Sequence, residues 1–385
     1  MIPITKPHIF DSSKKYINKV LNSNFLTDGK YQKLTENLIK KKLKSKFIAV
    51  TQSCTSALEI ASILINLKPN DEVILPSYGF VSLANSIVMR GAKPIFAEIE
   101  KDTLNICPKD VEKKISKKTK AIYIIHYAGH SCDMQQLLKI KKKYNLFLIE
   151  DSAHAFLGKY KNKFLGTIGD IGTFSFHETK NFVSGQGGCI SINNNKLLKR
   201  IDHLLDKGTN RKKFIKDSNL TIIKSFQVKN YYSWVDVGSE YRSPEIPCAL
   251  LLSQLEKSKI IQKKRQKIWN KYKLLFNKIN HKSVKIIKPI KNSISSYHLL
   301  VLIFENIKLA NEFKKFLHNK EIAATFHYVP LHKSEMGKKF TKQKLPITEN
   351  IYKKVVRLPL YSSMSSKNYK KIETSIKYFF DKSKN

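Results

Sequence analysis

The chain has 385 residues, 42% of them hydrophobic, which excludes wholesale disorder and one small core and fits about two domains. Its formal net charge is +41, yet only six of the 71 basic residues are Arg and Lys is spread along the whole length. A nucleic-acid surface concentrates its charge and uses Arg forks, so a global bias in residue usage explains the charge better than nucleic-acid binding.

The N-terminus, MIPITKPHIF, shows no signal-peptide pattern, and the apolar runs are about half of the ~20 residues a membrane-spanning helix needs. A soluble, cytosolic protein with no membrane role is expected. From residue 47 short apolar runs alternate with helical stretches. Strands are expected over Phe47–Val50, Glu72–Leu75, Pro94–Ile99, Ala121–His126, Leu146–Glu150, Gly172–Phe176 and Cys189–Ile192. Helical spacing lies between them over Thr55–Ile65, Val81–Arg90 and Met134–Tyr144. Near-continuous apolar strands separated by helices predict an α/β fold, a mostly parallel sheet flanked by helices. Residues 207–232 read as a polar, Lys-rich connection, followed by one long helix over Pro244–Ile279 and a second α/β mixture with a strand over Tyr297–Phe304. The division expected is a large domain over 1–255, onto whose smaller neighbour the N-terminal segment packs, and a small C-terminal domain over 256–385.

The five cysteines, Cys54, Cys107, Cys132, Cys189 and Cys248, are odd in number and form no C-x-x-C pair. They are read as reduced and mostly buried, with neither a disulfide framework nor a metal site.

Chemistry concentrates in two stretches. In LFLIEDSAHA an apolar strand ends at Glu150-Asp151, and ligands of open α/β sheets sit beyond the carboxyl ends of strands. A strand-end cap is the competing reading of Asp151. Twenty-nine residues later Lys180 follows an apolar strand and precedes Gly185, Gly187 and Gly188. A Lys in a partly desolvated pocket has a lowered pKa and acts as an amine nucleophile. Pyridoxal phosphate requires such a Lys for its aldehyde, a carboxylate for its pyridine nitrogen, backbone N–H groups for its phosphate and an aromatic cover for its ring. Asp151 and Lys180 supply the first two. Ser53-Cys54-Thr55-Ser56 opens a helix, with Ser56-x-x-Glu59 as a capping box, and suits the phosphate. Ser175 adds a hydroxyl, and Tyr78 or Phe80 covers the ring. Ordinary caps and core aromatics compete for each of these positions singly; their joint occurrence favours the cofactor.

The runs FSFHETKN and GQGG, with EDSAHA upstream and VTQSCTSALE near the start, resemble the DegT-type nucleotide-sugar aminotransferases. Further matching stretches are VILPSYGFVSLAN, VMRGAKPIFAEI, HYAGHSCDM, DKGTNRKKF, TFHYVPLH and RLPLY. The resemblance covers nearly the whole chain. It implies a fold-type I enzyme, aspartate-aminotransferase-like, working as a homodimer with pyridoxal 5'-phosphate. It implies that Lys180 carries the cofactor as a Schiff base and acts as general acid and base. Asp151 then pairs with the pyridine nitrogen, Phe80 stacks on the ring, and Cys54, Thr55 and Ser175 hold the phosphate. His154 lies by the ring oxygen, and His327 and Tyr328 line the sugar-nucleotide site, a turn histidine being the alternative for His327. L-glutamate is the implied donor and a nucleotide-linked 4-keto-6-deoxy sugar the acceptor. The particular acceptor implied is dTDP-4-keto-6-deoxy-D-glucose, giving a 4-amino-4,6-dideoxygalactose product for cell-surface polysaccharide. A 3-amino transfer and a UDP-linked substrate are the nearest alternatives. A sugar dehydratase of this type has His in place of Lys180. The chain departs from the family at Glu240, where an Asn reaching the partner subunit's phosphate is usual. Glu240 is expected to point elsewhere, and Pro244 to open the following helix.

Overall fold

The computed structural model describes residues 1–211 and 232–382; most of the polar connection expected over 207–232 lies outside the described residues. Two helices, α1 (Asp11–Leu21) and α2 (Lys30–Leu43), precede β1 (Phe47–Thr51). Then come α3 (Cys54–Leu64), β2 (Glu72–Pro76), α4 (Val81–Val88), β3 (Lys93–Ala97), α5 (Pro108–Lys113), β4 (Thr119–Ile125), α6 (Met134–Lys143) and β5 (Phe147–Asp151). A small hairpin, β6 (Lys159–Tyr160) and β7 (Lys163–Phe164), leads to β8 (Ile171–Ser175), β9 (Gly188–Ile192) and α7 (Leu198–Leu205). All seven strands expected over residues 47–192 are present and form one sheet in the order β1-β9-β8-β5-β4-β2-β3. β9 runs antiparallel to both neighbours, while every other described pair is parallel. The fold is α/β, with a mixed, mostly parallel sheet flanked by helices. β4 and β5 are buried along most of their length on both faces, which is why they read as unbroken apolar runs.

The expected single helix over 244–279 is two. α8 (Glu245–Glu256) ends at Lys257, whose φ −91° and ψ 10° leave the helical region, and α9 (Ser258–Ile279) starts afresh. Pro244 is the cap before α8 rather than its first helical residue. Pro247 is tolerated because the first N–H groups of a helix lack internal partners. Glu245 reaches across to α2, where its carboxylate accepts the N–H groups of Gly29, Tyr31 and Gln32 at 3.1, 2.7 and 2.8 Å. The N-cap of α2 is Gly29, with no side chain to satisfy those donors, so a carboxylate from another helix does it and suits the helix dipole.

Beyond α9 lie β10 (Val284–Ile286), β11 (Ser293–Ile294), β12 (Leu300–Phe304), α10 (Ile307–Asn319), α11 (Pro346–Ile351), β13 (Val355–Leu358) and α12 (Ser366–Lys382). β12 begins at Leu300, not at Tyr297, which has φ +54° and cannot extend a strand. β10, β12 and β13 form an antiparallel sheet, and β11 pairs with β6. The N-terminal segment joins this C-terminal part: Ile2 N–H donates to Glu321 O at 2.7 Å and Ala323 N–H to Ile2 O at 2.9 Å. Along β12 side chains alternate between two cores. Val301 and Ile303 pack with the large sheet's helix α3 cluster, while Leu300, Leu302 and Phe304 pack with α9, α10 and α12.

Candidate active site

The carboxyl ends of β5 and β8 and the start of β9 meet the start of α3, and this junction holds most of the expected residues. Consecutive residues of β5 point to opposite faces. Glu150, fully buried, turns away from the cleft and accepts N–H groups of Gly166, Ile168 and Gly169 at 2.8, 2.7 and 2.5 Å. His126 Nδ1 accepts the Cys132 N–H at 3.2 Å, so its Nε2 carries the proton and donates to Glu150 at 2.9 Å. Asp151 faces the cleft, nearly buried, and accepts the Ala153 N–H at 2.9 Å. Burial pushes its carboxyl up from the ordinary range; the Ala153 N–H, Lys180 and His126 oppose that.

Lys180 sits in the excursion between β8 and β9. Phe176 N–H donates to Gly187 O at 2.8 Å, Glu178 N–H to Gly185 O at 2.9 Å, and Lys180 N–H to His177 O at 2.8 Å. Gly185 has φ +83°, a conformation that favours glycine. Below the excursion Phe156 meets Phe174, Phe176 and Phe182 edge-on at 5.6, 5.4 and 5.3 Å between centroids. Phe176 and Phe182 thus pin the chain on both sides of Lys180. Loss of hydration lowers the Lys180 amine, and Arg357 adds to the lowering, while Asp151 and Cys54 oppose it.

The start of α3 is capped by Ser53, whose Oγ accepts the Ser56 N–H at 3.0 Å. The capping box expected from Ser56 to Glu59 is therefore corrected: Ser53 is extended and its carbonyl already accepts the Ala57 N–H, so the helix opens at Cys54. Its first amides have no intrahelical partners and form an anion-binding start. Gly188 lies opposite Ser175 in register, and a Cβ on Gly188 would overlap the Ser53–Cys54 backbone. Ser175, Thr55 and Cys54 thereby converge around one cradle. Thr55 Oγ1 lies 2.7 Å from Ser82 Oγ, and Ser175 Oγ accepts the His177 N–H at 3.4 Å. The Cys54 thiol lies 4.0 Å from Asp151 Oδ1 and 3.6 Å from Thr173 Oγ1, and burial pushes it up, so it stays protonated. All five cysteines are free thiols, three of them buried.

The far wall of the cleft is aromatic. His154 Nδ1 accepts the Ala128 N–H at 3.3 Å, and its ring lies 5.9 Å from that of His327, nearly parallel. Burial, with Lys180 and His327 adding to it, holds His154 well below the ordinary histidine value. His327 Nδ1 lies 3.2 Å from the Tyr127 hydroxyl, and burial with Arg357 takes its pKa down to about 2. Tyr328 lies 5.8 Å from Tyr78 and 6.2 Å from Phe80. Of the two aromatics considered as a ring cover, Tyr78 is in the core while Phe80 is 55% exposed. The Glu240 carboxylate pairs with Lys207.

Sequence reasoning missed Arg357, Asn181 and His298. Arg357 pairs with Thr325 and donates through Nε to Phe326 O at 3.3 Å, beside His327. Its remaining N–H groups have no partner among the described residues. The signal was compositional: in a chain with six Arg, each one is worth asking about.

A buried carboxylate, a desolvated lysine and an open helix start on the carboxyl edge of a mostly parallel sheet fit pyridoxal phosphate, the first for its ring nitrogen and the last for its phosphate. Fold and cleft together define a pyridoxal-phosphate-dependent transaminase of fold type I. Residues 7–377 match the model of the DegT/DnrJ/EryC1/StrS aminotransferase family, and the chain belongs to that family. It is 31% identical over 382 residues to a GDP-perosamine synthase of Escherichia coli O157:H7, covering 98% of each. It is 30% identical over 391 residues to a UDP-4-amino-4,6-dideoxy-N-acetyl-beta-L-altrosamine transaminase of Campylobacter jejuni, covering 100% of this chain and 99% of the relative. Among solved structures it is similar to Helicobacter pylori PseC, an aminotransferase involved in the biosynthesis of pseudoaminic acid, with TM-score 0.88 and 27% identity over 99% of both chains. The chain is thus a sugar-nucleotide aminotransferase. Among the described residues no helix is long and apolar enough to cross a membrane.

Proposed function

We propose that this enzyme moves the amino group of L-glutamate onto carbon 4 of a nucleotide-linked 4-keto-6-deoxy sugar, for cell-surface polysaccharide. The observation that carries the reading is the desolvated Lys180 amine in the same cleft as the buried Asp151 carboxylate. When bound, pyridoxal phosphate supplies an aldehyde that condenses with amines and a ring that withdraws electrons from the reacting carbon. Asp151 holds a proton at the ring nitrogen. The Cys54 and Thr55 amides and the Ser175 and Thr55 hydroxyls take the phosphate, Phe80 covers the ring, and His154 donates from Nε2 towards the ring oxygen. Lys180 Nζ, kept deprotonated for part of the time by its lost hydration, takes the proton from the donor's α-carbon and returns one to the sugar carbon. His327 and Tyr328 line the sugar side. Arg357, whose two Nη groups have no partner among the described residues, takes a carboxylate of L-glutamate.

The sugar position is supported by the words 4-amino-4,6-dideoxy in the C. jejuni relative's name. For the nucleotide the sequence favours dTDP, while the relatives' names carry GDP and UDP. The active unit is a homodimer. In support, apolar side chains lie exposed on two segments, Phe25 and Leu26 on one and Trp234, Val235 and Val237 on the other.

The test incubates the cofactor-loaded enzyme and L-glutamate with dTDP-, GDP- and UDP-linked 4-keto-6-deoxy sugars and reads the product by NMR. A 4-amino product in the galacto configuration from the dTDP sugar is expected. A 3-amino product, or a strong preference for another nucleotide, overturns the corresponding part. Lys180→Ala should abolish both turnover and the borohydride-fixed attachment of cofactor; a variant with normal turnover sinks the assignment of Lys180.

A further inference from the structure

Residues 295–298 form a loop before β12 that touches both sides of the cleft. Ser296 Oγ donates to His154 O at 2.5 Å, and Ser296 N–H donates to Gly129 O at 3.1 Å. Gly129, at φ +87°, allows this approach, since a Cβ there would overlap Ser296 and His154 O. On the other side Ser296 O accepts from Asn181 Nδ2 at 2.8 Å, and His298 Nδ1 lies 2.9 Å from Asn181 Oδ1. A carbonyl only accepts, so the Ser296 bond fixes the Asn181 amide with its oxygen towards His298. His298 Nδ1 therefore carries the proton and donates. The His298 ring also packs on His154, with 4.5 Å between centroids.

The loop is itself fixed from α9. Arg265, fully buried, donates to Tyr297 O at 3.0 Å and to His298 O at 2.6 Å, and Gln262 Nε2 donates to Ser296 O at 3.0 Å. Ser296 and His298 are buried, so these bonds are shielded from competing water. Asn181 directly follows Lys180. The Lys180 main chain is tied before the lysine by its own N–H to His177 O, and after it by the Asn181 side chain and the Phe182 ring. Of these ties, only the Asn181 clamp reaches the loop that also holds His154.

We propose that the Asn181–His298 hydrogen bond is a positioning device for the Lys180 amine, by which loop 295–298 keeps Lys180 in register with His154 for proton transfer. His298 touches no reacting atom and acts through Asn181. The inference rests on the reading of Lys180 as the catalytic amine. Small errors in the placing of a proton-transfer group cost rate more than binding.

The test compares cofactor-loaded wild type, His298→Leu, His298→Asn, Asn181→Ala and the double variant His298→Leu/Asn181→Ala. It measures kcat, KM for the amino donor, melting temperature, and the pH midpoint of the visible absorbance. His298→Leu is expected to lower kcat roughly 10- to 100-fold while KM changes by less than about threefold. The absorbance midpoint should move as well. His298→Asn is expected to restore most of kcat, because the Asn amide nitrogen takes the place of Nδ1. Asn181→Ala should reproduce the defect, and the double variant should be no worse than either single one. Wild-type kcat in His298→Leu, equal impairment in His298→Asn, or fully additive losses would each overturn the proposal. If His298→Leu fails to fold, Asn181→Ala against His298→Asn decides alone. Normal turnover in Lys180→Ala would instead defeat the underlying reading of Lys180.

Discussion

Asp151 occupies a position where ionisation is costly, and only the Ala153 N–H, Lys180 and His126 counter the loss of hydration. On the proposed reading, a carboxylate kept there at such cost acts on a positive partner, the cofactor's ring nitrogen. Asp151→Asn should keep cofactor binding and fold and lose roughly 100-fold or more in kcat, the order expected of an electrostatic group in a transition state. Stopped-flow absorbance of the donor half-reaction checks it, and near wild-type rates would mean that another acid does the work. Arg357→Ala should raise KM for L-glutamate about tenfold or more, because a charge-assisted bidentate contact is lost, and leave KM for the sugar nearly unchanged. Steady-state kinetics with each substrate varied separately would show the reverse if Arg357 instead takes the diphosphate. That Lys180 and Asp151 meet in one cleft was legible in the sequence, because a strand end and a glycine turn constrain where they go. Arg357 and His298 were not. Arg357 lies within β13 and His298 just before β12, where an unremarkable apolar pattern says nothing of which distant loop each will meet.

The Lys180 excursion borrows its rigidity from the elements beneath it. Phe182 is buried and meets Phe156 at 5.3 Å, so Phe182→Ala opens a cavity under the Lys180 loop. The expected loss is about 3–5 kcal/mol of unfolding free energy. Urea denaturation reads it, and a loss below about 1 kcal/mol would mean that the loop is held by its hydrogen bonds alone. The same scale shows why strands were easier to read than helix ends. Strands of the large sheet are buried on both faces, and their unbroken apolar runs leave little choice. The break at Lys257 was hidden because apolar residues continue across it. α8 is buried nearly all round, at Cys248, Leu251, Leu252 and Leu255 among others. α9 buries one stripe, Ile261, Arg265, Ile268, Trp269, Tyr272 and Leu275. Two environments, not a breaker residue, divide one apolar pattern into two helices. The shift of the α3 cap from Ser56 to Ser53 has a similar origin: three serine or threonine side chains compete in SCTS, and backbone geometry chooses between them.

At the scale of the whole molecule, four histidines are held neutral by burial: His130, His154, His298 and His327. Three line the cleft, between the large sheet and the C-terminal part. His130 stands apart from them, fully buried against Trp269, with neither ring nitrogen bonded among the described residues, and burial takes its pKa down to about 4. Unfolded histidine titrates near 6.5. Above that value neither state binds the proton, and the full stability is present. Below it the unfolded chain takes up protons that the folded chain refuses, so stability falls as pH falls. The loss from His130 spans pH 6.5 down to about 4, and that from His327 continues down to about 2. Burial lowers all four, so each adds to the loss of stability on acidification. The melting temperature should therefore drop steeply between pH 6.5 and 4.5. His130→Leu should reduce the slope of unfolding free energy against pH by about one proton in that window. It should not lower stability at pH 7, because an unbonded polar ring is replaced by an apolar group of similar size. Urea titrations of wild type and His130→Leu at several pH values give both numbers. An unchanged slope in the variant would show that His130 is reached by water and titrates normally.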